Sequence, residues 1–153
     1  MLRTLAEIEN LATMALIGAG RGGAAAADCA FLQAVGYPGL ALLAEALADP
    51  VHEVTLEKDL AGLDLQNYSC VFIAGRVHDL IAEHGRLFLR NVRHGLYLLP
   101  QSVRGNYGIG CPVDPAFALG GERSKNPYEE KLAVAAQNGV EVDEAVWQSL
   151  QVA

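Results

Sequence analysis

Gly18, Gly20 and Gly23 carry the spacing G-x-G-x-x-G inside MALIGAGRGGAAAADC, residues 14–29. Set between a strand and a helix, such a run turns tightly and offers backbone N–H groups to a phosphate at the helix N-terminus. Arg21 would add a positive charge beside them. A dinucleotide site also needs an acidic residue roughly 20 positions further on, at the end of the second strand. Here the acids in that place, Glu57 and Asp59, come 34 and 36 residues after Gly23. Two readings of GAGRGG remain: an anion-binding loop that meets a phosphate or carboxylate, and a plain turn between packed elements.

A second concentration of chemistry lies in PQSVRGNYGIGCPVDPAFALGGERSKNP, residues 100–127. It is dense in Gly, Pro, Asn and Ser, and structureless loops longer than about 12 to 15 residues in compact domains are usually functional or disordered. Ser102, Arg104, Asn106, Tyr107, Cys111, Asp114 and Arg123 offer a hydroxyl, cationic anchors, an amide, a stacking ring, a thiol and a carboxylate. Cys111, between Gly110 and Pro112, is a candidate nucleophile, since a nearby arginine favours the thiolate. It reads equally as a small apolar residue under the loop. Arg76 and His78 follow the apolar run 69–75, and His78 has the ordinary pKa range of an acid–base group. His78 and His84 are six apart and point to opposite sides of a helix, and the three cysteines, Cys29, Cys70 and Cys111, form no C-x-x-C pair. No metal site is expected, and no cofactor is specified.

The elements that would position these groups follow from the pattern of apolar residues. Thr4 and Glu7 have capping-box spacing, so a helix starts near Leu5. Helical propensity carries it to Gly18, whereas a strand at 13–17 would complete a more ordinary sheet. Helices are expected over 24–35 and 40–48, and an edge strand over 51–58 from its alternation. SCVFIAG, 69–75, reads as a central buried strand, 77–94 as an amphipathic helix and LYLLP, 96–100, as the next buried strand. Asn126 and Pro127 open a further helix that ends at Asn138 and Gly139, and Asp143 caps the last one. The predicted architecture is a single α/β domain over residues 1–153. It has about four mostly parallel strands in a Rossmann-like or flavodoxin-like sheet, flanking helices and a helical C-terminus.

Composition narrows the partners. The formal charge of −7 repels phosphate backbones and anionic lipid, so nucleic acid and membrane surfaces are not expected partners. With 52% hydrophobic and 19% charged residues the chain is neither disordered nor membrane-spanning. Glu7 and Glu9 in MLRTLAEIEN and an odd number of cysteines point to a cytoplasmic protein without a signal peptide.

In topology, the run from 51 to 102 resembles flavodoxin-like and class I amidotransferase-like domains. Such amidotransferases set a cysteine on the turn after the later strand; here Gln101 and Ser102 occupy that place and Cys111 lies nine residues beyond Ser102. The leading expectation is a protein that binds a small anionic metabolite or nucleotide-like cofactor at the carboxyl ends of its strands. A thiol-dependent enzyme using Cys111 with His78 is the second reading. The third is a non-catalytic subunit or assembly factor of a larger complex, as a homo-oligomer or with a partner subunit, packing through its small-residue helix and the terminal helix with Trp147.

Overall fold

The computed structural model describes residues 1–51, 53–60, 62–85, 87–105 and 128–151. Strand β1 (Leu2–Arg3) leads into α1 (Leu5–Gly18), α2 (Ala26–Ala34) and α3 (Gly39–Leu47). Strands β2 (Lys58–Asp59) and β3 (Gly62–Asp64) precede α4 (Cys70–His84), which β4 (Leu89–Arg90), a 3₁₀ helix (Gly95–Leu98) and α5 (Leu99–Gly105) follow. Helix α6 (Glu129–Asn138), β5 (Val140–Glu141) and α7 (Glu144–Gln151) close the described chain. The residues fall into two compact units, Met1–Pro50 with Pro127–Ala153, and Val51–Asn126.

The first unit is helical. Thr4 Oγ1 accepts from Glu7 N at 3.1 Å while Thr4 N donates to Glu7 Oε1 at 3.0 Å, so the capping box forms as its spacing predicts. Helix α1 then runs unbroken to Gly18, burying Ile8, Leu11, Ala12, Ala15 and Leu16 against α2 and α7. The alternative strand at 13–17 does not form, and local helical propensity prevails. Helix α3 packs on α2 and α7, and α6 touches α2, where Tyr128 meets the Phe31 ring edge-on at 6.0 Å. Asp143 Oδ1 accepts from Val146 N at 3.1 Å and starts α7, whose Trp147 and Leu150 are buried. The Arg3 guanidinium lies 4.5 Å from the centre of the Trp147 ring, a cation–π contact. β1 and β5 pair antiparallel, Leu2 with Glu141 and Arg3 with Val140.

The second unit holds a three-stranded mixed sheet in the order β2-β3-β4, the first pair antiparallel and the second parallel. The expected four-stranded, mostly parallel Rossmann-like or flavodoxin-like sheet is therefore absent among the described residues, which are predominantly helical with only short strands. The misreading has three local causes. SCVFIAG is the start of α4, not a central strand. Ser69 Oγ caps the helix by accepting from Val71 N at 3.2 Å, and the buried positions Cys70, Ile73, Ala74, Val77 and Ile81 keep helical spacing across both stretches. LYLLP forms the 3₁₀ helix and the first turn of α5. Its buried run Tyr97, Leu98, Leu99 and Pro100 cannot by periodicity distinguish strand from helix. The alternating stretch before residue 58 has no regular structure where described, and its Val51 is 73% exposed. A parallel strand–helix–strand unit does occur, one element earlier than expected: β3, α4, β4. Gly62 permits its close pairing, with φ of +108° and the Phe88 carbonyl where a Cβ would stand.

Candidate functional site

A well-formed concavity lies entirely within the helical unit. One wall is the corner between α2 and α3. Gly36, at φ +94°, ends α2, with Gly36 N donating to Gln33 O at 3.2 Å and Tyr37 N to Leu32 O at 2.8 Å. This 5→2 and 6→1 pair is a Schellman motif. Gln33 Oε1 then accepts from Leu40 N at 3.0 Å and satisfies the start of α3. Gly39 allows the two helices to touch, because a Cβ there would stand 2.6 Å from the Cys29 carbonyl oxygen.

The opposite wall is α6, the Gly139 break at φ +77°, β5 and the first turn of α7. Between the walls lies an open groove of about 800 Å³ with Leu40, Ala41, Val134, Ala135, Val140 and Val146 along it. Among the described residues its rim carries Glu130, Glu141 and Asp143 against one cation, Lys131. Val134 is 52% exposed although apolar. Such a surface takes an apolar group and holds it between polar edges. Among the described residues that line it there is no Ser, Cys or His.

The predicted site residues lie elsewhere. Gly18 is the last residue of α1, and Gly20, Arg21 and Gly23 follow that helix and not a strand, so the strand–turn–helix context of a phosphate loop is missing. Gly20 sits at φ +73°, with Gly20 N donating to Ile17 O and Arg21 N to Leu16 O, both at 2.9 Å. These bonds are a second Schellman motif, and Gly20 serves to end α1. Arg21 Nη2 donates to Asp49 O at 3.5 Å, and Gly23 faces Thr13. Arg76 and His78 are not in a crevice beyond a strand but within α4. Arg76 is exposed, with Nη1 donating to Val54 O at 3.0 Å, and His78 is half-buried. Ser102 is wholly buried in α5, where its hydroxyl donates to Leu99 O at 2.9 Å, and Arg104 is exposed in the last turn. Asn106, Tyr107, Cys111, Asp114 and Arg123 lie outside the described residues. None of the described members lines the groove. Cys29 and Cys70 are buried thiols.

One hydroxyl–imidazole pair does form: Ser69 Oγ and His94 Nδ1 are 2.7 Å apart. Ser69 is 2% exposed and its oxygen already accepts from Val71 N, so the pair fastens the α4 cap to the turn before the 3₁₀ helix. Nearby, Asn91 Nδ2 and Gln66 N both donate to Asp64 Oδ1 at 2.8 Å. These bonds, the asparagine's first, hold the Asp64 carboxyl below its usual range. Both clusters maintain loop geometry. Among the described residues there is no group of His, Cys, Asp and Glu that could hold a metal, and no helix long and apolar enough to cross a membrane.

The groove escapes a motif search because its lining is apolar and its members come from five separate elements. A signal was present in α6. Leu132 and Ala135 mark its inward stripe, and Val134 falls off that stripe onto a face otherwise made of charged and polar residues. Comparison of the chain with protein-family models, with curated proteins and with solved structures finds no match.

Proposed function

We propose that this protein acts as a non-catalytic docking subunit that holds an apolar segment of another protein chain in the groove between the α2–α3 corner and α6–α7. The observation that carries this reading is the groove itself, which is open to solvent, apolar along its length and bordered by charges. Small-molecule sites bury about 70 to 90% of their ligand, and an open trough suits a longer occupant that lies along it. The small wall residues Ala34, Gly36, Ala41 and Gly139 leave room for large apolar side chains. The acidic rim lends no support to a small anionic ligand at this place.

The test uses Nile red, a neutral dye that fluoresces in apolar surroundings, titrated into the full chain. The dye should brighten with the wild type. It should lose most of that signal with Ala41→Trp, which fills the groove, and with Val134→Asp, which puts a charge on a wall residue already exposed to water. Circular dichroism would confirm that both variants fold. Equal brightening by all three proteins, or none by the wild type, would sink the docking reading.

A further inference from the structure

The charge of the chain is not spread evenly. The helical unit, Met1–Pro50 with Pro127–Ala153, contains ten carboxylate residues against three bases, Arg3, Arg21 and Lys131. The other unit, Val51–Asn126, contains eight of each. The whole formal charge of −7 therefore belongs to the unit that bears the groove.

Within that unit two of the bases are already engaged, since Arg3 pairs with Glu7 at 3.2 Å and Arg21 donates to the Asp49 carbonyl. At the groove, Glu141 meets the Met1 ammonium at 2.8 Å and Asp143 uses one oxygen on the α7 cap, while Glu130 has no hydrogen bond or ion pair among the described residues. Glu129 adjoins Glu130 in the first turn of α6, and Glu144 adjoins Asp143 in the first turn of α7. Among the described residues lining the groove, Lys131 is the single cation. An apolar occupant entering here passes through a negative field and seats its flanks against carboxylates.

From this charge pattern, and resting on the docking reading above, we infer that the occupant is a cationic amphipathic segment of a partner protein. Its apolar side chains fill the groove over Leu40, Val134 and Val146, and its lysine or arginine residues flank them at the Glu130 and Asp143 edges. Field and rim act in different ways. The field of the whole unit accelerates encounter and screens with salt. The rim rejects an acidic segment by placing like charges together.

Three fluorescein-labelled peptides test this against the full chain by fluorescence anisotropy: an amphipathic leucine–lysine sequence, its leucine–glutamate counterpart, and the leucine–lysine composition scrambled to abolish amphipathicity. The amphipathic basic peptide should bind at least about tenfold more tightly than either control, about 1.4 kcal/mol. Its affinity should fall with added salt, fall with Glu130→Lys, and be lost with Ala41→Trp. Equal binding of the acidic peptide would overturn the inference. So would equal binding of the scrambled one, which would mean surface charge without the groove. Dodecyltrimethylammonium binding as tightly as the peptide would overturn it too, by making the occupant a small lipophilic cation. If Nile red still enters the groove in a protein that fails these peptide tests, the docking reading stands and only the cationic partner is wrong. If the dye fails as well, both fall.

Discussion

Gly39 and Gly75 are both helical glycines, and a methyl group added at each should have opposite effects. A Cβ on Gly39 would stand 2.6 Å from the Cys29 carbonyl oxygen and 3.1 Å from Leu32 Cβ, so α3 must move off α2 to admit it. Overpacking of this kind costs about 1 to 3 kcal/mol. Gly75 is exposed on α4, and a Cβ there meets nothing within 4 Å. In that open helical position alanine should gain about 0.5 to 1 kcal/mol, because glycine has more backbone freedom to lose on folding. Urea denaturation of Gly39→Ala and Gly75→Ala separates the two. The expected result is one midpoint below the wild type and one above it, and two shifts of the same sign would contradict the described packing. The Gly39 contact also bears on the groove, because it sets the α2–α3 corner that forms one wall.

The caps show which parts of this architecture were legible in the sequence. Thr4 with Glu7, and Asp143 ahead of α7, are short-range patterns whose bonding partners lie within a turn, and both form as read. Strand against helix over 69–75 and 96–100 was not legible. Those runs are buried on most sides, and the choice depends on distant partners such as Arg93, whose carbonyl accepts from Cys70 N at 2.9 Å. The glycines of GAGRGG were visible, but their role as the end of α1 depends on the helix reaching Gly18. The groove was illegible because apolar residues from separate elements carry no spacing signal. The capping box of α1 allows a pH test. The Thr4 backbone bond, followed by Arg3, holds the Glu7 carboxyl below its ordinary value of 4.5. A depressed folded pKa means that the charged form contributes stability above the unfolded pKa, and that this contribution is lost as pH falls through the folded one. Glu7→Gln keeps the acceptor and removes only the charge. Its melting temperature should therefore lie below the wild type at neutral pH and converge with it in acid, below the carboxylate range. A gap that persists unchanged in acid would assign the effect to geometry and not to charge.

The division of charge between the two units has a consequence for stability as well as for binding. With ten carboxylates against three bases, the helical unit repels itself, and its two described ion pairs, Arg3 with Glu7 and the Met1 ammonium with Glu141, are partly exposed and weak. Screening should remove more repulsion than attraction. Raising salt from about 10 mM to about 150 mM shortens the Debye length from roughly 30 Å to roughly 8 Å, enough to uncouple carboxylates on neighbouring helices. The sole tryptophan, Trp147, is buried in α7, which packs on α1 and α3, so its fluorescence reports the unit's unfolding. Urea, being uncharged, leaves ionic strength under separate control. The urea midpoint read at Trp147 should rise with salt, corresponding to a gain in unfolding free energy on the order of 1 kcal/mol, the range of exposed electrostatic effects. Lys131→Glu adds to the excess of negative charge and should steepen that rise, whereas Glu130→Lys reduces the excess and should flatten it. A midpoint that falls with salt would mean that the ion pairs outweigh the repulsion. The negative field invoked to draw a cationic segment into the groove would then be weaker than the residue count implies.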